Sequence, residues 1–282
     1  MWKSPAIAGT MPGRRNVPAS RHGSGDFDGW RPRQWCPARG RGRLGLVNEP
    51  WVLHVDLDQF IAAVEVLRRP ELAGKAVIIG GRGDPTERAV VSTASYEARV
   101  YGVGSGMPLR IAARKVPDAV ILPVDQEAYL EASDKVMAVL RSQPGATVQV
   151  LGWDEAFVGV QAEDPEAYAR QLQGAVLEET RLHCSVGIGD TLVRAKVATT
   201  FGKPAGVFRL TEENWLEVMG NRPTIELWGV GTKVSRRLAT LGIKTVAQLA
   251  ASNPDDLVPR VRTEDGTLVR PAWAGRRCPR SG

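Results

Sequence analysis

The segment TVQVLGWDEAFVGV, residues 147–160, decides the fold, and it places two adjacent acids, Asp154 and Glu155, inside an otherwise apolar run. The apolar stretches 148–151 and 156–160 predict the two strands of a β-hairpin, with both acids at its turn. Ionised carboxylates beside buried strands are costly unless a cation or a partner charge compensates them. The hairpin therefore predicts a site that gathers positive charge.

A third acid, Asp56, lies near the end of a similar apolar run, WVLHVDL, at residues 51–57, which predicts another strand. Hard oxygen ligands that converge from two strands suit Mg²⁺, which binds few protein carboxylates and completes its shell with water and substrate phosphates. Two such ions that hold the attacking and leaving oxygens are typical of phosphoryl-transfer enzymes. Taken alone, the acids suit polymerases, nucleotide cyclases and several nucleases, and each is also compatible with an ordinary solvated surface carboxylate.

The charge of the chain is unevenly distributed along its 282 residues, which carry a formal net charge of +6. Residues 1–49 hold nine Lys or Arg against three Asp or Glu, and residues 258–282 hold six against two, so the middle carries about −4. Both ends are rich in Gly, Pro and Arg, and we expect them to be disordered. Basic ends are compatible with nucleic acid binding, whereas the mildly acidic middle fits a site that collects carboxylates.

Cysteine usage and hydropathy exclude two classes of protein. The three cysteines, Cys36, Cys184 and Cys278, match no zinc or redox spacing and form an incomplete set for disulfides. The sequence contains no run of 18 apolar residues that could span a membrane. These features predict a cytoplasmic protein without a membrane partner.

The middle of the chain alternates short apolar runs with segments of helical periodicity, which predicts an α+β core. Strands are predicted over residues 51–57, 75–79, 89–93 and 184–188, besides the hairpin. Helices are predicted over residues 58–69, 108–115, 125–140, 165–181 and 191–200. One face of the helix 125–140 is expected to be buried, and it consists of Tyr129, Ser133, Val136 and Leu140.

Two further segments carry groups that suit an anionic triphosphate. In TASYEARVYGVGSGMP, residues 93–108, Thr93 and Tyr96 offer hydroxyl groups and Arg99 offers a guanidinium fork. In ATTFGKPAGVF, residues 198–208, a Gly-bounded turn presents the ammonium of Lys203. The alternatives are that Tyr96 packs in a core, that Arg99 pairs with an acid and that Lys203 is merely solvated.

The segment LWGVGTKVSRRLATLGIKTVAQLA, residues 227–250, contains a Gly-Val-Gly turn between two short predicted helices. Such a turn is typical of helix–hairpin–helix modules, whose backbone N–H groups bind a DNA phosphate without reading sequence. An ordinary turn between two helices is the alternative. The candidate DNA contacts are Gly229, Gly231, Lys233 and Arg236.

Taken in order, the motifs HVDLDQF, TASYEARVYGV, WDEAFVGV, SVGI followed by AKVAT, GKPAG and WGVG resemble Y-family translesion DNA polymerases. The resemblance covers residues 50–257 and is closest to the DNA polymerase IV (DinB-like) branch. The form GWDEA at residues 152–156, together with the aliphatic residue two positions after Gln59, is similar to an actinobacterial subgroup.

The resemblance implies a right-hand polymerase that performs error-prone, template-directed DNA synthesis. It places the palm at 50–59 and 126–210, the fingers at 60–125 and a helix–hairpin–helix thumb at 211–257. It also implies primer–template DNA and dNTPs as partners, two Mg²⁺ ions that Mn²⁺ can replace, and a monomeric protein.

By the same motifs, Asp56 and Asp154 are expected to ligate both ions, and the backbone carbonyl of Leu57 to add a ligand. Glu155 is expected beside the primer 3′-hydroxyl, where it helps to hold the ion that activates it. The triphosphate is expected to contact Thr93, Tyr96, Arg99 and Lys203.

Two departures from the family pattern carry their own expectations. Ile61 stands where the family usually has Tyr or Phe beneath the sugar of the incoming nucleotide, so we expect relaxed sugar selection with rNTPs as additional substrates. The alternative is that Ile61 only packs in the fingers. The family pattern also ends near Leu257, so we expect no little-finger domain, no sliding-clamp contact through this chain and weak, salt-sensitive DNA binding. A catalytically idle DNA-binding or regulatory fragment is the competing function.

Overall fold

The computed structural model describes residues 51–253 and Leu257, so the predicted disordered segments 1–49 and 258–282 lie outside the described residues. The strands are β1 Trp51–Leu57, β2 Val77–Ile79, β3 Thr93–Ala94, β4 Val120–Leu122, β5 Thr147–Val150, β6 Glu155–Val160, β7 Cys184–Gly189 and β8 Val207–Leu210. The helices are α1 Phe60–Arg68, α2 Tyr96–Arg99, α3 Leu109–Lys115, α4 Gln126–Ser142, α5 Pro165–Thr180, α6 Leu192–Gly202, α7 Trp215–Met219, α8 Thr232–Thr240 and α9 Val246–Ala250. The predicted α+β class is confirmed.

The main sheet has five strands in the order β5-β6-β1-β7-β8, with β1 at its centre. Strand β1 is antiparallel to both β6 and β7, whereas β7 and β8 run parallel. The register sets Asp56 directly opposite Glu155 on one side and Ser185 on the other. Directly opposed residues of an antiparallel pair share a face of the sheet, so Asp56 and Glu155 lie on the same face.

One face of this sheet is covered by α4 and α5. Leu53, Val55 and Leu57 of β1 belong to the largest buried cluster. The same cluster contains Tyr129 and residues about two and three turns further along α4. The predicted buried face of that helix is therefore confirmed, because Tyr129, Ser133, Val136 and Leu140 are all buried.

The opposite face of the sheet is covered by α6, whose backbone lies directly against the backbone of β7. Gly187 makes this approach possible, since a Cβ atom there would overlap the carbonyl oxygen of Ala195 and the backbone nitrogen of Thr199. Gly189 has the same role one step along, against the backbone of Ala195. Two glycines in β7 thus fix how close α6 sits to the sheet.

A smaller sheet of three strands, in the order β3-β2-β4, packs with α2 and α3 around a second buried cluster. The strand predicted at 89–93 is wrong in position, because β3 is formed by Thr93–Ala94 instead. The reason is that Val91 donates its N–H to the carbonyl of Met107, 2.8 Å away, and so pairs with the chain before α3 rather than with β2.

The last part of the described chain packs on α6. Val193, Val197 and Ala198 of α6 share a buried cluster with Leu238 of α8 and Leu249 of α9. Within residues 51–253, no helix is long and apolar enough to cross a membrane.

Candidate active site

The three predicted acids meet at one end of the main sheet, which we call the carboxylate edge (Asp56, Asp154 and Glu155). Asp56 and Glu155 are paired across β1 and β6. The N–H of Leu57 donates to the carbonyl of Asp154 at 2.8 Å, which holds the turn residue beside the end of β1. Burial, followed by the negative charges of Asp56 and Glu155, raises the pKa of Asp154. The shift therefore reflects burial first and the neighbouring acids second.

Two lysines of the α6 region supply positive charge to the carboxylate edge. Lys203 forms an ion pair with Asp56, and Lys196 forms one with Glu155. Lys203 was predicted from sequence as a triphosphate ligand, whereas Lys196 was not among the predicted site residues. Its signal is the helical spacing of Lys196 and Thr199, which lie three residues apart on one face of α6.

His54 lies behind Glu155 and was also missed by the sequence analysis. Its side chain is 1% exposed, and its Nε2 lies 3.2 Å from Oε2 of Glu155. Its Nδ1 lies 2.8 Å from the hydroxyl of Thr199, so the imidazole is fixed between α6 and the carboxylate edge. The hydrogen bond from His54, together with Lys196, lowers the pKa of Glu155 to about 2. Glu155 is therefore ionised throughout the neutral range.

The predicted triphosphate groups on β3 and α2 form one cluster. Thr93 lies half-buried in β3, opposite Ile79. The hydroxyl of Tyr96 donates to Asp58 at 3.0 Å, and the guanidinium carbon of Arg99 lies 5.1 Å from the centre of the Tyr96 ring. Nε of Arg99 donates to a backbone carbonyl at 2.8 Å, so the rest of its fork remains available for an anion.

Ile61 is the second residue of α1 and is half-buried. It packs against the edge of the largest buried cluster. This packing is what the alternative to a sugar-selecting role predicts, and it is equally compatible with a side chain that also borders the nucleotide.

The Gly-Val-Gly turn precedes α8, as predicted. Gly229 has a φ of 88°, and Gly231 caps the start of the helix. The side chains of Lys233 and Arg236 are exposed on α8.

Trp228, next to this turn, contacts side chains on the same face of the main sheet as Glu155. Its ring meets Phe157 of β6 edge-on at 5.9 Å, and Nζ of Lys196 lies 5.7 Å from the centre of the indole. The ion pair of Lys196 and Glu155 is thus covered by an aromatic side chain from the turn before α8.

In residues 51–253, no group of three or more His, Cys, Asp or Glu side chains stands close enough to hold a metal ion as they are arranged. The donor set nevertheless fits a hard divalent cation, because the site gathers three carboxylates, and Lys196 and Lys203 balance the charge of two of them in the free protein. The raised pKa of Asp154 agrees with a place for further positive charge.

Comparison with protein families and curated proteins places these residues in context. The model of the impB/mucB/samB family matches residues 55–200. DNA polymerase IV 2 of Mycobacterium tuberculosis is 55% identical over 204 residues, which cover 71% of this chain and 59% of that protein. DNA polymerase IV of Methanoculleus marisnigri is 40% identical over 217 residues, covering 74% and 59% respectively. The chain thus spans about 59% of the length of these curated relatives.

Solved structures agree with this assignment. DinB from Sulfolobus solfataricus is 28% identical and has a TM-score of 0.66, over 74% of this chain and 62% of that one. An insertion ternary complex of Dbh DNA polymerase is 27% identical and has a TM-score of 0.68, over 77% and 64%. The chain therefore belongs to the impB/mucB/samB family, whose relatives include the Y-family DNA polymerases.

Proposed function

We propose that this chain carries the catalytic part of an error-prone, template-directed DNA polymerase of the translesion type. The observation that carries the proposal is the carboxylate edge, where Asp56 and Glu155 face each other across two strands with lysines beside both. The proposal assigns the palm to 50–59 and 126–210, the fingers to 60–125 and the thumb to 211–257.

The carboxylate edge would provide the metal ligands of the reaction. Asp56, Asp154 and the carbonyl of Leu57 would hold two Mg²⁺ ions, which Mn²⁺ can replace, and Glu155 would lie beside the primer 3′-hydroxyl. When bound, these ions neutralise charge on the attacking oxygen and on the triphosphate. His54 and Lys196 keep Glu155 ionised and fixed in direction, so little reorganisation is needed when the primer arrives.

The triphosphate would be held by groups that are bound to carboxylates in the free protein. Lys203 would leave its ion pair with Asp56 and bind a phosphate oxygen instead. The hydroxyl of Tyr96 would likewise donate its hydrogen bond to a phosphate oxygen in place of Asp58. Burial and the charge of Asp58 raise the pKa of Tyr96, so its phenol stays protonated and able to donate. Thr93 and Arg99 complete the set with a hydroxyl and a guanidinium fork.

Primer extension with Mg²⁺ and the four dNTPs tests the reaction. We expect extension by the wild-type chain and a loss of at least about a hundredfold in Asp154→Ala, because developing charge then lacks a ligand set. Asp134→Ala is the matched control, since Asp134 is exposed on α4. Binding of primer–template without any extension by the wild type would favour the competing function, an idle DNA-binding fragment.

Relaxed sugar selection is the second part of the proposal. Ile61 is branched at Cβ but shorter than a Phe or Tyr ring, and a pocket that does not exclude an added hydroxyl discriminates weakly against it. We expect Ile61→Phe to lower rNTP incorporation by at least tenfold while dNTP incorporation changes little. Ile111→Phe, at an exposed position of α3, serves as the control. Equally strong rejection of rNTPs by the wild type and by Ile61→Phe would refute this part.

The turn before α8 is proposed to bind a DNA backbone phosphate through the N–H groups near Gly229 and Gly231. Exposed Lys233 and Arg236 would add counter-charge to the same strand. We expect Arg236→Ala to weaken DNA binding similarly for all sequences and to reduce the salt slope, log Kd against log salt concentration, by about 1. An unchanged slope would place the DNA backbone elsewhere.

A further inference from the structure

We propose that Asp58 is a positioning residue that aligns the triphosphate-binding groups of the two sheets. One carboxylate holds the Tyr96 hydroxyl from α2 and the backbone of the loop that carries Lys203. This inference rests on the proposed function, because a nucleoside triphosphate is the ligand that these groups would hold.

Asp58 receives hydrogen bonds from three separate parts of the fold. It directly follows the central strand β1 and is 4% exposed. Oδ1 accepts from the Tyr96 hydroxyl at 3.0 Å and from the Ser185 hydroxyl at 2.9 Å. Oδ2 accepts from the backbone N–H of Ala205 at 2.7 Å and lies 3.1 Å from the Ser185 hydroxyl. The donors therefore come from α2, from β7 and from the loop after α6.

The chemistry of these contacts requires a carboxylate. Among the described residues, Asp58 forms no ion pair, so its buried charge depends on neutral donors alone. Such a charge is costly to bury unless each lone pair is used. An Asn of the same shape offers one acceptor oxygen and an NH₂ group that would face one of the present donors, such as the N–H of Ala205.

Asp58 holds in place both groups of proposed triphosphate ligands, Lys203 on one side and Tyr96 with Arg99 on the other. Ala205 lies two residues after Lys203, so the hydrogen bond at Oδ2 fixes the loop that presents the ammonium. Tyr96 begins α2 and supports the guanidinium of Arg99, so the bond at Oδ1 fixes that pair as well. When Tyr96 turns toward a phosphate, Ser185 and Ala205 still satisfy the carboxylate.

A simple charge effect and a positioning role predict opposite changes in nucleotide affinity when Asp58 is replaced by Asn. If Asp58 acted only as a negative charge near the triphosphate, Asp58→Asn would relieve repulsion and tighten nucleotide binding. If Asp58 aligns the binding groups, the same variant weakens binding, because the Lys203 loop loses its hydrogen bond at Ala205, the contact that persists when the Tyr96 hydroxyl moves to a phosphate.

The experiment measures binding of dATP with Mg²⁺ to the whole chain by isothermal titration calorimetry. We expect Asp58→Asn to raise the Kd by about tenfold, as for loss of one hydrogen bond to a charged group. Asp118→Asn, which changes the net charge equally at an exposed position, leaves the Kd unchanged. In the same variants, hydrogen exchange of the peptide containing Ala205 becomes faster only in Asp58→Asn. In steady-state assays, the KM for dNTP rises while the Kd for primer–template stays constant.

Each outcome separates the inference from the proposed function. Unchanged or tighter dATP binding by Asp58→Asn, with wild-type binding intact, overturns the positioning role alone. Absence of dATP binding by the wild type overturns the proposed function and this inference with it. If Asp58→Asn fails to fold, Ser185→Ala removes one donor without changing charge, and we expect a Kd about threefold higher with faster exchange at Ala205. An unchanged Kd in that variant overturns the inference.

Discussion

Replacing Gly187 by Ala tests how the site depends on the contact between α6 and β7. The added Cβ would lie 2.5 Å from the hydroxyl oxygen of Thr199 and still closer to two backbone atoms of α6. Restoring an ordinary contact requires α6 to retreat by roughly 1 Å. Overpacking of this kind costs about 1–3 kcal/mol of stability, which lowers the Tm by roughly 2–12 °C for a domain of this size. Because α6 carries Lys196, the same displacement should reduce nucleotide incorporation by about a hundredfold.

The matched control is Gly174→Ala, which makes the same chemical change on the surface of α5. No atom lies within 4 Å of a Cβ built at Gly174. Replacing Gly by Ala in an exposed helix stabilises by about 0.5–1 kcal/mol, so this variant should unfold slightly above the wild type and keep its activity. Differential scanning calorimetry and primer extension on both variants make the comparison.

The two variants should therefore change the Tm in opposite directions. An unchanged Tm in Gly187→Ala would mean that the contact between α6 and β7 does not depend on the absence of a side chain at this position. A lower Tm with full activity would mean that the position of α6 does not govern the carboxylate edge. Either result would refute the reasoning.

Two further predictions concern buried groups outside the carboxylate edge. Burial raises the pKa of the Cys184 thiol to about 12, so only about one thiol in a thousand is ionised at pH 9. Iodoacetamide should therefore label Cys184 slowly until guanidinium unfolds the chain, as measured by peptide mass mapping. Fast labelling of the folded protein would contradict this prediction. Tyr129→Phe removes a buried hydrogen bond of 2.7 Å to Glu65 and should lower the free energy of unfolding, measured in urea, by about 1–3 kcal/mol. The control Tyr168→Phe loses only an exposed hydrogen bond and should lower the same free energy by less than about 0.5 kcal/mol. Equal losses in the two variants would refute the prediction.

The local pattern of apolar residues was enough to predict the elements that carry the acids. Strand β1 is found at Trp51–Leu57 as predicted, and the hairpin of β5 and β6 differs by only one residue at its ends. These segments are long and apolar, and such runs are typical of strands that are buried on one or both faces. Strand β8, Val207–Leu210, was not predicted, because four residues after a turn become a strand only when β7 lies beside them.

The groups that surround the acids were harder to find from sequence. His54 and Asp58 each lie two residues from Asp56, on the same face of β1 or just beyond it, and this alternation is the signal that could have identified them. Their partners, Thr199 and Ser185, come from elements more than a hundred residues away, so no local pattern reports the contact. Whether Ile61 also borders the nucleotide stays a prediction.

The central place of β1 also sets the order in which the sheet can assemble during synthesis. Trp51 pairs with Val160 and Val52 pairs with Gly189, so β1 has no partner in the sheet until β6 has been made, and it is paired on both sides only after β7 has been made. Contacts of such sequence separation form slowly, and apolar β1 must remain unpaired meanwhile. Asp56 is thus translated about a hundred residues before Asp154 and Glu155, and the carboxylate edge forms only when the ribosome has passed β6.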